Sequence, residues 1–478
     1  MVIALQRMTK LSIVILILVG IIDFIPVIYY TSIHKGTGTT KIPVIETIPG
    51  VYDEENGSLR SAVNQGSGRR RDYSSDGCIS NDRAGIMETL SISQHCHHVP
   101  GNATCRQFVK LIKGSHSFHK RKEIKNCEEF RQLHGYYNKP ETTTETQFPL
   151  AFVILVYTSV PQVEQLLRTI YRPWNFYCVH IDGKSSAQFH RRIKTITKCF
   201  PNLLLSSQSV TVHWASIYVL EAERICQRDL LRHSDKWKYL LNLSGQEFPL
   251  KTNLEIVEVL QELNGTNDVM SLGNPDGSGY NTWRQHVRYI VDPYNGIQRT
   301  NNKKTEPIPG NVAIYKGELH TALTRQFVEY LHKDPIAIAY YNWLNDTYCP
   351  DEHYYQSLNV LHNAPGTTGI INNQLLCRAK VWVTEPNSYV CKSRRVKRGI
   401  CIFGRLDLPW LLEQPQLFAN KFHFNEDPLV LNCLEEALNY RVFNPIHLNI
   451  DLYHNFSKSR KWGIRNTLQS FKLLPSQV

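Results

Sequence analysis

The first pattern along the chain is an apolar run, LSIVILILVGII (residues 11–22), interrupted by Asp23 and continued by FIPVIYY. The window 11–30 has about the 20 residues that a helix needs to cross a bilayer. Arg7 and Lys10 stand before it, which holds the amino end, residues 1–10, in the cytoplasm. The run closes on Tyr29-Tyr30 without the small residues of a cleavage site, so an uncleaved signal-anchor is expected over a removed signal peptide. Asp23 is costly at depth, but it sits past mid-span and can approach the lumenal interface. From 31 to 75 the chain is polar, rich in Gly, Thr, Ser and Pro, and without usable period. It reads as a flexible stem.

Helical patterning returns in an extension, 76–146, that carries Cys78, Cys96, Cys105 and Cys127 and ends in the polar linker KPETTTETQ. FPLAFVILVY follows, and its apolar stretch, 152–157, is too short for a helix and predicts a buried strand. Val163, Leu166, Leu167 and Ile170 then recur at helical spacing over 161–171, with Ser159 available as a cap. NFYCVHID is a second strand, ending at Asp182. Strand, helix and strand in so short a stretch make a βαβ unit with a parallel sheet. KYLLNLSG (238–245) is another strand, and NLEIVEVLQEL a helix opened by a Thr252/Glu255 capping-box pattern and closed by Asn264-Gly265. Farther on, a strand is expected near 312–315 and helices near 325–332 and 353–361. The fold class is α/β with a mixed, mostly parallel sheet over 147–455, followed by a tail, 456–478.

Composition changes this picture in two places. The chain has 478 residues, 54 Lys+Arg against 42 Asp+Glu, and a net charge of +12; its hydrophobic share of 42% excludes collagen-like, coiled-coil and wholly disordered chains. The charge alone does not imply nucleic acid, because five basic residues, Lys392, Arg394, Arg395, Lys397 and Arg398, stand between Cys391 and Cys401. A disulfide there would staple a cationic loop, and a merely solvated basic loop is the plainer alternative. The 12 cysteines suit an oxidising compartment. Sequons at Asn56, Asn102, Asn264, Asn345 and Asn455 agree with it; a sixth, at Asn242, lies in an apolar strand where a glycan does not fit. A secretory-pathway, single-pass membrane protein is expected.

Candidate chemistry is sparse until it is assembled. No G-x-G-x-x-G follows the first strand and no P-loop occurs, which disfavours a dinucleotide cofactor. Asp182, at a strand end where open α/β sheets bind ligands, is a partner for a ribose or base, or only a turn residue. D-x-D is absent, so a diphosphate leaving group would need protein cations in place of a metal. In Cys349-Pro350-Asp351-Glu352-His353 the two carboxylates open a helix; one is a candidate general base, and helix capping explains the same pattern.

Taken together, NFYCVHIDGKS, KYLLNLSGQEFPLKTNLEIVEVL, DTYCPDEHYYQSL, CIFGRLDLPWLL and LFANKF resemble, in order and spacing, the core 2 and I-branching β-1,6-N-acetylglucosaminyltransferases, a family that includes the peptide O-xylosyltransferases. The likeness spans roughly 127–433. It implies a type II Golgi membrane enzyme with a GT-A-like nucleotide-sugar-binding fold, inverting, using a UDP-sugar and no metal or other cofactor. It maps the catalytic base onto Glu352, the diphosphate pair onto Arg398 and Lys421, and a uridine contact onto Asp182. It also implies the disulfides Cys127–Cys199, Cys178–Cys226, Cys391–Cys401 and Cys78–Cys433, and leaves Cys96–Cys105 and Cys349–Cys377 as remaining pairs without a family counterpart. Trp382, Trp283 and Arg288 fall in acceptor-facing segments. Departures are Thr384 in place of a second aromatic residue, Tyr157-Thr158 after the first strand, and Lys316-Gly317-Glu318 where Gly-Ser is common.

The expected function is therefore transfer of GlcNAc in β-1,6 linkage from a UDP-sugar to a core 1 type O-glycan on a glycoprotein. A family transferase using UDP-xylose, UDP-glucose or another acceptor, and a catalytically silent glycan-binding member, are the alternatives. Membrane attachment, no nucleic acid, and a homodimer complete the expected partners.

Overall fold

The computed structural model describes residues 124, 126–136, 139–273, 284, 286–367, 375–383 and 390–454. All lie in the second of the two units, 1–68 and 69–478, into which the chain divides. The anchor 11–30, the stem, the sequons at Asn56, Asn102 and Asn455, Cys78, Cys96, Cys105, Trp283, Thr384 and the tail 456–478 fall outside the described residues. Among those described, no helix is long and apolar enough to cross a membrane.

The strands are β1 (Leu150–Val156), β2 (Phe176–Ile181), β3 (Leu203–Leu205), β4 (Tyr239–Ser244), β5 (Glu247–Pro249), β6 (Val287–Asp292), β7 (Gly296–Lys303), β8 (Ala322–Thr324), β9 (Arg378–Ala379), β10 (Val396–Lys397), β11 (Ile400–Cys401) and β12 (Phe418–Asn420). The main sheet has the order β3-β2-β1-β4-β8. β1 is parallel to β2 and β4, β2 is parallel to β3, and only the edge strand β8 runs antiparallel, on β4. β1 is apolar throughout because both of its faces are covered. Its alternate residues enter different cores: Leu150, Phe152, Ile154 and Val156 one, Ala151 and Val153 the other. The first core is roofed by the helices Val160–Ile170, Ala187–Thr197, Asn253–Glu262 and Pro428–Phe443. The second packs under Ile217–His233, Arg325–Lys333 and Pro335–Trp343.

Three disulfides join pairs of described residues in this frame. Cys127–Cys199 ties the helix Cys127–Leu133 to the end of Ala187–Thr197, Cys178–Cys226 ties β2 to Ile217–His233, and Cys391–Cys401 closes the basic loop. Cys433 is disulfide-bonded to a partner outside the described residues. The expected Cys349–Cys377 bridge does not form; both are free, buried thiols. Cys377 packs in the first core, at the foot of β9, whereas the Cys349 N–H donates to the Ala215 carbonyl, at the start of the helix under the second.

Local expectations divide by whether tertiary contacts overrule them. The capping box of Thr252 and Glu255 is present in both directions. Ser159 does not cap its helix: its backbone is left-handed (φ 62°) and its side chain makes no cap bond. Residues 312–315 form no strand; an isolated bridge, Leu272 to Lys316, is the pairing nearby. The helix expected over 353–361 shortens to Tyr354–Leu358. No apolar period marks Ile217–His233 in the sequence, because Glu223, Arg224, Gln227 and Asp229 on it are buried, which blurs its apolar stripe.

Candidate active site

β2 ends at the backbone of Asp182, whose N–H donates to the Val156 carbonyl at the end of β1 (2.9 Å). Its Oδ1 accepts from the N–H groups of Lys184 (2.9 Å) and Val212 (3.3 Å), and Oδ2 lies 3.5 Å from Lys184 Nζ. The strap 210–212 is close: the Gly183 N–H donates to the Val210 carbonyl, and a Cβ on Gly183 would stand 2.8 Å from Thr211 Oγ1. Asp182 is thus an 8%-exposed turn carboxylate at the carboxyl edge of the sheet, which serves the fold and faces the ligand edge at once.

Glu352 closes the short 3-10 turn Pro350–Glu352. Its own carbonyl accepts from the Gly317 N–H (2.9 Å). A Cβ on Gly317 would stand 1.9 Å from the Met270 carbonyl oxygen, so the segment that departs from the family pattern needs its glycine. Arg284 Nη1 donates to Glu352 Oε2 (2.6 Å), and the guanidinium lies over the Tyr348 ring (5.2 Å). No motif in the sequence marks Arg284, which stands one residue after Trp283; the fold brings it to Glu352. Arg288, expected in an acceptor-facing segment, is engaged instead by Asp346 and Glu306, anchoring the β6–β7 hairpin. Beside Glu352, burial, with Glu352 and Glu223 adding like charge, pushes Asp351 up to about 7.

The cationic elements converge from two loops. Lys397-Arg398-Gly399-Ile400 is the tip of the β10–β11 hairpin, with Arg398 and Gly399 both left-handed (φ 52° and 75°), as a two-residue hairpin turn requires. Arg398 is exposed and its guanidinium lies over the Trp214 ring (5.4 Å). Lys421 follows β12 and is 9% exposed. Burial first, then the charges of Arg398, Lys380 and Lys397, lower its ammonium to about 8, against the opposing pull of Glu247. A half-desolvated ammonium with Arg398 and Lys397 beside it is a place where an anion would be favoured.

Trp382 joins the two halves. Its indole N–H donates to Glu318 Oε1 (3.3 Å), and its ring stands 3.5 Å from where a Gly399 Cβ would be. Burial disfavours the Glu318 carboxylate, but Lys380 and His320 outweigh it and hold the group well below the usual range. Underneath, Glu247 is fully buried yet kept ionised by Arg378 (3.1 Å) and His320 (2.8 Å). Among the described residues, no group of three or more His, Cys, Asp or Glu is disposed to hold a metal ion.

A carboxylate paired with an arginine and a separate cluster of cations are groups that acid-base and anion chemistry can use. Residues 150–412 match the model of the Core-2/I-Branching enzyme family, and the chain belongs to that family, a family of glycosyltransferases. It is 35% identical over 336 residues to the mouse N-acetyllactosaminide beta-1,6-N-acetylglucosaminyl-transferase, covering 69% of this chain and 82% of that one. The human protein of the same name is 35% identical, over 66% and 79%. The human beta-1,3-galactosyl-O-glycosyl-glycoprotein beta-1,6-N-acetylglucosaminyltransferase 3 is 34% identical, over 66% and 74%.

Proposed function

We propose that the protein transfers N-acetylglucosamine from UDP-N-acetylglucosamine to the primary hydroxyl of a galactose-containing O-glycan of core 1 type, in β-1,6 linkage and with inversion. The observation that supports this reading is Glu352, paired with Arg284, in a member of the Core-2/I-Branching family in which Arg398 stands near enough to Lys421 to lower its ammonium. In the reaction the acceptor oxygen attacks the anomeric carbon, the bond to the β-phosphate breaks, and its electron pair leaves on UDP. The hydroxyl proton passes to Glu352. Arg398 and Lys421 stabilise charge that grows on the leaving diphosphate, an interaction stronger in the transition state than in the ground state. Inverting displacement with a carboxylate base parallels inverting glycosidases, a sugar hydroxyl replacing water.

We read the fold as GT-A-like, the reaction as metal-independent, and the enzyme as a type II Golgi membrane protein with a lumenal catalytic domain. The disulfides support an oxidising compartment. The names of the relatives favour two acceptors, an N-acetyllactosamine chain and a galactosyl O-glycan, so a second reading keeps the donor and changes the acceptor. Incubating the lumenal domain with UDP-N-acetylglucosamine, UDP-xylose or UDP-glucose and each acceptor, with and without EDTA, separates the readings. Transfer of N-acetylglucosamine to the O-glycan, undiminished by EDTA, is expected. No transfer from any donor would favour a silent glycan-binding protein, and inhibition by EDTA would overturn the metal-free mechanism. Glu352→Gln is expected to lower transfer by roughly 10²–10⁴-fold while UDP binding stays.

A further inference from the structure

A cavity of about 380 Å³ opens at the other end of the main sheet, beside the starts of β1 and β4 and the end of the helix Asn253–Glu262. β4 is six residues long, so this mouth is roughly 20 Å from the carboxyl edge that carries the reaction. Its lining includes Phe148, Leu260, Gln261, Asn264, Arg325 and Gln326. Asn264 is also the first residue of the sequon Asn264-Gly265-Thr266.

We propose that Asn264 carries an N-linked glycan whose first N-acetylglucosamine residue is seated in this cavity, on the ring of Phe148. Asn264 and Gly265 are exposed, both left-handed (φ 46° and 78°), and a Cβ on Gly265 would meet nothing within 4 Å. The acceptor amide is thus presented on a protruding turn. Because Asn264 itself lines the cavity, a sugar attached at its Nδ2 begins at the mouth. Phe148 is half-buried and stacked on Tyr239 at 6.0 Å, a fixed aromatic face for the apolar side of a pyranose. Gln261, Gln326 and Arg325 supply the few polar groups that a sugar's hydroxyls and acetamide need. A covalent tether gives the first residue a high effective concentration, so a weak stack suffices.

Attachment balances as a single transfer. The oligosaccharide arrives on a lipid-linked diphosphate, its C1–O bond to phosphate breaks, a C1–Nδ2 bond forms, and one amide proton is lost. Asn242 marks the contrast: its sequon lies in β4, and its side-chain amide donates to Glu223 and to the Leu319 carbonyl. The inference rests on passage through an oxidising secretory compartment and is independent of the transfer reaction, so either can fail alone.

The test uses the full chain expressed in a secretory eukaryotic host, with glycopeptide mass spectrometry at Asn264 and the rate at which a peptide:N-glycosidase releases that glycan. Occupancy is expected, with release from the native chain at least tenfold slower than from the denatured chain. Phe148→Ala should raise the native rate toward the denatured one. Gln261→Ala, an exposed position on the rim, should raise it in part and serves if Phe148→Ala fails to fold. An unmodified Asn264, or equal release from native and denatured wild-type chains, overturns the proposal.

Discussion

Lys421 shows how a single side chain in this cleft carries a testable charge. Burial and neighbouring cations lower its folded-state value to about 8, from the 10.5 it has when unperturbed. Between those values the unfolded chain binds the extra proton, so the desolvated ammonium costs stability below pH 8, and the cost is relieved as pH rises. Ligand binding runs the other way. A diphosphate favours the protonated lysine, so UDP affinity is expected to fall as pH rises through about 8, with proton uptake on binding. Calorimetric titration in buffers of different ionisation enthalpy would show that uptake, and Lys421→Met should abolish it while weakening UDP at every pH. A profile unchanged by Lys421→Met would remove the residue from the diphosphate site. The segments that carry Glu352 and Arg398 stand out in the sequence because each motif is contiguous. Arg284 was not legible as the partner of Glu352, because 68 residues separate them and only chain folding sets that pairing.

At the scale of elements, the 3-10 turn bearing Glu352 is held by its neighbours. The Gly317 N–H caps it through the Glu352 carbonyl, and the 1.9 Å approach to the Met270 carbonyl leaves no room for a methyl group. Gly317→Ala is expected to displace backbone, since an atom pair that close cannot be relaxed by a rotamer. The loss should appear as reduced kcat with UDP affinity retained, provided thermal melting confirms a folded variant; wild-type kcat would show that the segment moves freely. Strands β1, β2 and β4 were readable because parallel strands buried on both faces are continuously apolar. The β6–β7 hairpin was not: β7 is polar and mostly exposed, and β6, though richer in apolar residues, buries only Tyr289 fully, so no clear alternation marks the pair. The stretch 312–315 failed in the opposite sense. Val312, Ile314 and Tyr315 are buried and look strand-like, yet no neighbouring strand offers them a ladder.

Across the whole molecule, disulfides join pieces that the sheet alone does not. Cys178–Cys226 locks β2 to the helix Ile217–His233 across 48 residues, and both cysteines are fully buried. Replacing both with Ser is expected to cost about 2–5 kcal/mol, read as a lower melting temperature and a lower denaturant midpoint. An unchanged midpoint would mean that the second core carries this junction without the bond. The free thiols Cys349 and Cys377 give the corresponding control. Both should remain unreactive in the native chain and react after unfolding, because burial pushes both thiols up.

The sequence by itself determined the α/β class, the run of strands that forms the central sheet, the capping box at Thr252, the cationic loop between Cys391 and Cys401, and the family to which the chain belongs. Each is encoded in contiguous residues whose spacing repeats with a strand, a helix or a turn. The tertiary structure alone decided that Arg284 and not Arg288 meets Glu352, that Lys380 and Glu318 join Trp382 behind the cationic tip, and that Cys349 and Cys377 stay apart. Those outcomes depend on side chains from segments distant in sequence meeting at the carboxyl edge of the sheet, and on which charges burial forces to find a partner. Periodicity records which face of an element is buried, and carries no record of what waits on the other side.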